Sequence, residues 1–323
     1  MFTSAVLIIV GIIAIGKGSD WLTDSLVPLA KKLGVSGVAV GLILVSAAVS
    51  LPEILVAVYA VVEGAPTISL GVILGSIVCN IGLMTGLCAL QRPLHVTTNI
   101  LLRDGIFSIV VPILIFAVSS GGEISRIEGL AFFLLFIPYV VNVFLLEKGR
   151  SAEEKSSDIA RIEMELKSLG FDKGKITSPW LSFGLGLVVL LAGTYVFGGQ
   201  LISLAKDLGF NELIIGLTIG AIGPSIPNIV AAYKATKRGM TDIAVSETLG
   251  SNIFTLLVTL GILAVISPIT ISDQWRTFDL PAMIFMSVML FVFCVTGRTI
   301  SRLEGGILLG SYILLLAVQI AIV

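Results

Sequence analysis

Ten long apolar stretches dominate this chain of 323 residues. Apolar residues make up 56% of the sequence and charged residues only 13%, whereas soluble domains carry roughly 25% charged residues. A stretch of about 20 apolar residues can cross a bilayer as a helix, which satisfies its own backbone hydrogen bonds there. The sequence therefore predicts an all-α integral membrane protein with ten transmembrane helices and the lipid bilayer as its surroundings. The predicted spans lie near residues 2–31, 36–62, 66–91, 104–120, 125–146, 178–207, 211–236, 240–266, 278–296 and 301–322.

The remaining composition excludes several classes of function. The net charge of −1 gives no basic field for nucleic acid. Three cysteines lie inside apolar runs without Cys-x-x-Cys spacing, which argues against disulfide or zinc chemistry. His95 is the only histidine, and no nucleophile has a base beside it, so we expect neither an enzyme nor a bound cofactor.

The basic residues indicate how the spans are oriented. With the N-terminus outside, sixteen Lys and Arg residues fall in inside loops and three in outside loops, which agrees with the positive-inside rule. The long polar stretch at 147–177 is then a cytoplasmic linker. We expect a multi-pass protein of the plasma membrane.

An internal repeat relates the two halves of the chain. A shift of 175 residues places matching residues on each other, and a shift of 176 places ISRIEG at 124–129 on ISRLEG at 300–305. The matched pairs include Gly41 and Gly216, Ser50 and Ser225, Pro52 and Pro227, Gly75 and Gly250, and Ser76 and Ser251.

The repeat predicts two inverted halves, because each half holds five spans, an odd number. Residues 1–146 form the first five-helix repeat, 147–177 the linker and 178–323 the second, inverted repeat. Inverted repeats are typical of secondary transporters, which bind substrate near the bilayer midplane and expose it to alternate sides.

Polar residues concentrate at matching places in the two halves. Pro52 and Pro227 each lack a backbone donor, so we expect both helices to break near Ser50 and Ser225. Glu53 follows the first of these prolines inside a long apolar run, and an ionisable residue there indicates a functional site.

The third and eighth spans carry a second matched set of polar residues. Ser76 and Asn80 are four residues apart and share a helix face, as do Glu247, Ser251 and Thr255. Such hydroxyl groups often bond only to their own helix. Their matched positions predict instead that they line the same site as Glu53.

These segments resemble the two alpha-repeats of sodium/calcium exchangers, in the calcium/cation antiporter superfamily. The resemblance is specific in residues 41–87 and 216–262, where family members carry a G-T-S-L-P-E type motif and a Gly-Ser pair with a polar or acidic residue four on from the serine. It implies secondary antiport of Na⁺ and Ca²⁺ by alternating access, at a site formed by the second, third, seventh and eighth helices. The site residues it implies are Glu53, Ser50, Asn80, Ser76, Ser225, Asn228, Ser251 and Thr255. Glu247 lies one helical turn from Ser251, so we expect it on an access path.

The chain departs from this pattern by carrying less charge. Asn228 stands where the second motif has its glutamate, and Thr255 stands where many members have an acidic residue. Ca²⁺ prefers six to eight oxygens, with an affinity that depends on the number of carboxylates. An alternative is therefore a monovalent or proton-coupled cation exchanger of the same fold, which moves Na⁺ or H⁺ and has lost or weakened calcium binding.

Overall fold

The computed structural model describes residues 2–32, 38–148, 178–208 and 211–322. Within these ranges the chain forms ten long helices. They are α1 (Phe2–Lys32), α2 (Val38–Val62), α3 (Pro66–Gln91), α4 (Thr98–Ser119), α5 (Arg126–Lys148), α6 (Pro179–Leu208), α7 (Glu212–Lys237), α8 (Ile243–Ile266), α9 (Trp275–Thr296) and α10 (Arg302–Ile322). Of the linker predicted at 147–177, the first two residues belong to α5. The rest, 149–177, lies outside the described residues.

The helices differ in how far they are buried, with the most buried at the centre of the fold. Nine of the described helices are long and apolar enough to cross a membrane, and α2 adds an apolar stretch over Ala47–Val62. In the apolar part of α3 and of α8, 83% of residues are buried, against 22% in α5 and α10. Large apolar side chains such as Ile127 and Leu303 are instead exposed at the periphery, which suits contact with lipid.

In the part of the chain that the structure describes, four two-residue strands connect the two halves. They are β1 (Leu94–His95), β2 (Glu123–Ile124), β3 (Ile269–Thr270) and β4 (Thr299–Ile300). β1 pairs antiparallel with β4 and β2 with β3, so each pair joins one half to the other. The repeat matches Leu94 with Ile269 and Ile124 with Ile300. The pair Leu94–Ile300 therefore corresponds to the pair Ile269–Ile124, as expected for two halves related by a twofold axis.

Helix contacts repeat the same relation. Gly129 on α5 lies against Gly261 on α8, and Gly305 on α10 lies against Gly86 on α3. Because the absence of side chains lets two backbones approach, these contacts are close membrane helix packings. Each of them joins the first half to the second.

The prediction that α2 and α7 break at their prolines is wrong. α2 is helical throughout with Pro52 inside it, and α7 continues as a helix through Pro224 and Pro227. The donor that a membrane proline lacks is compensated by neighbouring helices and local adjustment. Glu53 therefore projects from a continuous helix and not from unwound chain.

Extra residues are instead accommodated in π-helical turns. These turns are Asn80–Thr85 in α3, Leu101–Gly105 in α4, Gly216–Gly220 in α7, Thr255–Thr259 in α8 and Trp275–Asp279 in α9. The turns of α3 and α8 begin 175 residues apart, at matching positions of the repeat. Single π turns inside α-helices are frequent at functional sites.

Two helices begin earlier than the sequence predicts. α4 begins at Thr98 and not near 104, and α9 begins at Trp275 and not near 278. Within α4, Asp104 is buried and paired with Arg103. An ion pair inside a helix does not end it.

Candidate functional site

Glu53 lies at the centre of the contacts between α2 and α7. Its side chain is only 2% exposed. Its Oε1 atom accepts hydrogen bonds from Ser225 Oγ at 3.0 Å and from Asn228 Nδ2 at 3.2 Å. Glu53 and Asn228 occupy matching positions of the repeat, so the symmetry-related residues meet directly.

Asn228 also fixes the position of α2. Its Nδ2 donates a second hydrogen bond, at 3.0 Å, to the backbone carbonyl of Val49. The amide therefore spans one turn of α2, between this carbonyl and the carboxylate of Glu53. A glutamate at position 228 could not donate either bond in its ionised form.

The second carboxylate oxygen of Glu53 is available to a ligand. Glu53 Oε2 is buried and has no hydrogen-bond partner among the described residues. A buried charged oxygen is costly unless something compensates it. A cation beside Oε2 would supply that compensation.

α8 contributes the next pair of polar groups. Ser50 Oγ on α2 lies 3.0 Å from Ser251 Oγ on α8, and both residues are fully or almost fully buried. Each hydroxyl keeps a lone pair that can face a cation. This contact brings together the serine of one motif and the Gly-Ser serine of the other half.

Asn80 presents a second buried oxygen. Its Nδ2 donates to Asn252 Oδ1 on α8 at 3.2 Å, and its own Oδ1 has no hydrogen-bond partner among the described residues. Because one side of the amide is held by Asn252, the carbonyl oxygen faces the other way. This oxygen is the type of neutral ligand that cations accept.

A pair of threonines continues the contact between α3 and α8. Thr85 Oγ1 lies 2.7 Å from Thr248 Oγ1 and donates to the Asn80 carbonyl at 3.0 Å. The π turn that starts at Asn80 leaves this carbonyl to accept a side-chain bond. The threonines therefore fix the backbone that carries the Asn80 side chain.

Three residues predicted for the site have a different setting. Ser76 is buried but its hydroxyl donates to the Val72 carbonyl of its own helix at 2.7 Å. Thr255 is 2% exposed and begins the π turn of α8, and Glu247 is 7% exposed one residue before Thr248. Burial agrees with a position in the protein interior, while the role of these three residues stays a prediction.

Asn252, Thr248 and Thr85 escaped the sequence reasoning. The matching residues in the other half are apolar: Ile77 for Asn252, Ile73 for Thr248 and Leu260 for Thr85. For Asn252 and Thr248 the available signal was their position beside Ser251 on the helix face that also carries Thr255. Asymmetric positions of this kind are visible only once the helices are packed.

The charge of the cluster is low. Among the described residues, no three His, Cys, Asp or Glu side chains come together. A cation here would be held by one carboxylate, that of Glu53, and by neutral oxygens. Such a set can bind and release small cations while burying little fixed charge.

Comparison with known proteins identifies the family. A family model described as sodium/calcium exchanger protein matches residues 3–145 and 178–321. The chain belongs to the sodium/calcium exchanger family. This exchanger is 30% identical over 322 residues to inner membrane protein YrbG of Escherichia coli, with 98% of this chain and 97% of the relative covered.

Two further relatives carry explicit names. The exchanger is 28% identical over 342 residues to the sodium/calcium exchanger MaX1 of Methanosarcina acetivorans, with 97% of both chains covered. Its fold matches the solved structure of the sodium-calcium exchanger NCX_Mj with a TM-score of 0.68 at 26% identity, over 98% of both chains.

These findings confirm the family resemblance, the all-α fold of ten helices and the function of a cation antiporter in a membrane. The exchanger is accordingly a transporter. Its candidate ion site is the cluster of buried polar side chains between α2, α3, α7 and α8.

Proposed function

We propose that this exchanger moves Na⁺ against Ca²⁺ through the buried cluster of α2, α3, α7 and α8. The observation that carries the proposal is the pair of buried oxygens, Glu53 Oε2 and Asn80 Oδ1, that lack a donor among the described residues. A cation bound beside these oxygens would supply the compensation that each of them lacks. The names of its relatives supply the identity of the ions.

The remaining ligands in this proposal are neutral. Ser50, Ser225 and Ser251 contribute hydroxyl oxygens from the contacts described above, and Asn228 orients Glu53. Ser76 and Thr255 are also buried, and they lie four residues from Asn80 and Ser251 in the sequence. They complete the proposed set of neutral ligands. Glu247 lies on α8 one turn before Ser251, where it would line the path from one side.

A second candidate is a monovalent or proton-coupled exchanger, and the geometry of Asn228 favours it. Asn228 keeps one carboxylate oxygen of Glu53 occupied and adds no charge. One negative charge balances one Na⁺ or one H⁺, whereas Ca²⁺ leaves an excess positive charge in a buried site. The two candidates differ in whether Ca²⁺ drives the flux.

The orientation follows from the distribution of basic residues. We place the N-terminus outside, the linker 147–177 in the cytoplasm and the protein in the plasma membrane. The positive-inside bias supports this orientation. Residues 1–146 and 178–323 are then the two inverted repeats, and the symmetric strand pairs agree with that division.

Uptake of radioactive calcium into proteoliposomes tests the proposal. We expect an outward Na⁺ gradient to drive uptake in the wild type and Glu53→Gln to abolish it, since the variant removes the charge and keeps the shape. Glu63→Gln is a matched control, because Glu63 directly follows the same helix and is exposed. It should transport like the wild type.

The same vesicles distinguish the candidates. Uptake that survives in Glu53→Gln contradicts the role of Glu53. Absence of calcium uptake together with Na⁺ or H⁺ flux that depends on Glu53 supports the second candidate. Absence of every flux with correctly folded protein contradicts both.

A further inference from the structure

Two buried aspartates occupy matching positions outside the central cluster. Asp104 lies in the π turn of α4 and Asp279 ends the π turn of α9, 175 residues later. Their exposed fractions are 0% and 3%. An acid within a membrane helix requires a partner or a function.

Asp104 has a full set of partners. Arg103 Nε donates to Asp104 Oδ1 at 2.8 Å, and Arg103 Nη2 bonds to Oδ2. The Tyr139 hydroxyl donates to Oδ1 at 3.0 Å. The charge is neutralised and both oxygens are satisfied, so Asp104 has a structural role.

Asp279 lacks the equivalents of these partners. The position that matches Arg103 is Phe278, and the one that matches Tyr139 is Leu315. Gln319 Nε2 donates to Asp279 Oδ1 at 2.7 Å. The second oxygen, Oδ2, is buried and has no hydrogen-bond partner among the described residues.

The carboxyl group borders a small cavity with room for about one water molecule. Its other lining residues are Leu74, Gly75, Val78, Leu217, Ala282, Leu315, Leu316 and Gln319. Among the described residues that line this cavity, Asp279 is the only ionisable one. The ionisable residues nearest in sequence on the same helices are Cys79, Glu212, Tyr312 and Arg276, and none of them lines the cavity; Arg276 bonds to Asp273.

The groups that line this cavity determine whether Asp279 can bind a metal cation or a proton. A metal cation such as Ca²⁺ needs six to eight oxygens, and the cavity offers those of one carboxyl group and one amide among apolar side chains. A proton needs only the carboxylate oxygen, and its binding removes the cost of a buried charge.

We propose that Asp279, held by Gln319, is a proton site separate from the central cation cluster. In the sealed arrangement seen here, Asp279 carries its proton on Oδ2. Opening of the helices admits water and releases the proton. Closure around Asp279 therefore takes up one proton.

The walls of the cavity connect this site to ion exchange. Gly75 and Val78 line it from α3, which carries Asn80, and Leu217 lines it from α7, which carries Asn228. Gly75 also lies directly against Leu217 and Ala221. The packing of α3 on α7 is thus shared by the proton site and the cation cluster.

Infrared difference spectroscopy of purified protein in lipid tests the proposal without a transport assay. The Glu53→Gln variant is used as background to remove the central carboxyl signal. We expect a protonated-carboxyl C=O band in this background, lost when Asp279→Asn is added. Asp273→Asn is the control, since Asp273 is exposed and bonded to Arg276, and should leave the band unchanged.

Gln319→Leu gives an independent readout. It removes the hydrogen bond that stabilises the ionised carboxylate, so the pH at which the band disappears should shift upward. A band and a titration unchanged in both Asp279→Asn and Gln319→Leu would overturn the proposal. Because the band does not depend on the transported ion, failure of calcium exchange would leave this result intact.

Discussion

At the scale of single residues, Asn228 controls how much charge the cluster holds. It donates to Glu53 Oε1 and to the Val49 carbonyl, so it replaces a negative charge with two hydrogen bonds. On the side of α7, the Glu53 Oε1 atom and the Val49 carbonyl therefore already accept hydrogen bonds from Asn228. Its remaining acceptors, Glu53 Oε2 and Asn80 Oδ1, belong to α2 and α3.

Asn228→Asp should increase preference for divalent cations. The added carboxylate is close to Glu53, and a second negative charge attracts Ca²⁺ twice as strongly as Na⁺. We expect the ratio of calcium to sodium affinity to rise roughly tenfold or more, equivalent to about 1.4 kcal/mol. Calorimetric titration of purified protein measures both affinities, and an unchanged ratio would place the bound cation elsewhere.

Asn252→Leu should weaken cation binding by releasing the Asn80 amide. The loss of one hydrogen bond costs about 1 kcal/mol, and the freed Asn80 can turn its oxygen away. We expect an affinity decrease of roughly fivefold in the same titration. Asn252→Asp keeps the acceptor and should bind closer to the wild type, and equal affinity of the two variants contradicts a positioning role.

At the scale of helices, the repeated motif has the same structural role at the start of α5 and of α10. In ISRIEG and ISRLEG, Ser125 and Ser301 each bond through backbone N–H and hydroxyl to a glutamate three residues later. This is a capping box, which satisfies free donors at a helix start. The motif thus begins α5 and α10 in the same way.

α1 and α6 form an antiparallel pair that depends on glycine. A methyl group built on Gly18 lies 2.4 Å from the backbone nitrogen of Leu190, whereas one on Gly184 meets nothing within 4 Å. Gly18→Ala should lower stability by about 1–3 kcal/mol through overpacking. Gly184→Ala should be neutral or stabilising because alanine favours helix.

Thermal unfolding in detergent compares these two variants directly. We expect a lower melting temperature for Gly18→Ala only. Equal melting temperatures would show that the two helices separate at little cost.

At the scale of the whole molecule, the two halves are interlocked and not simply adjacent. β1 pairs with β4, β2 with β3, α5 packs on α8, and α10 packs on α3. Every one of these contacts crosses between the halves.

The proposed orientation predicts opposite accessibility for two helix ends. Glu63 follows α2 and Lys237 ends α7, and both are exposed. In intact cells, a membrane-impermeant maleimide should label Glu63→Cys from outside and Lys237→Cys only after lysis. Background is low because Cys79, Cys88 and Cys294 are buried, and the reverse pattern would invert the orientation.

The sequence alone determined the membrane helices and the repeat, and it predicted that Glu53 lies at a functional site. These features are local or periodic: the hydropathy of each span, the odd number of spans in each half, and an acidic residue within an apolar run. They can therefore be recognised without knowing how the helices pack. The same reasoning failed at Pro52 and Pro227, since a helix in a membrane can keep its course where neighbours compensate the missing donor.

Only the tertiary structure decided which polar groups meet. The contact of Asn80 with Asn252 and that of Asp279 with Gln319 join residues 172 and 40 positions apart, without a matched pair in the other half. Such contacts depend on the rotation and crossing of helices, which the pattern of one helix does not contain. The sequence defined a charge-poor transporter, and packing decided where its oxygens remain free.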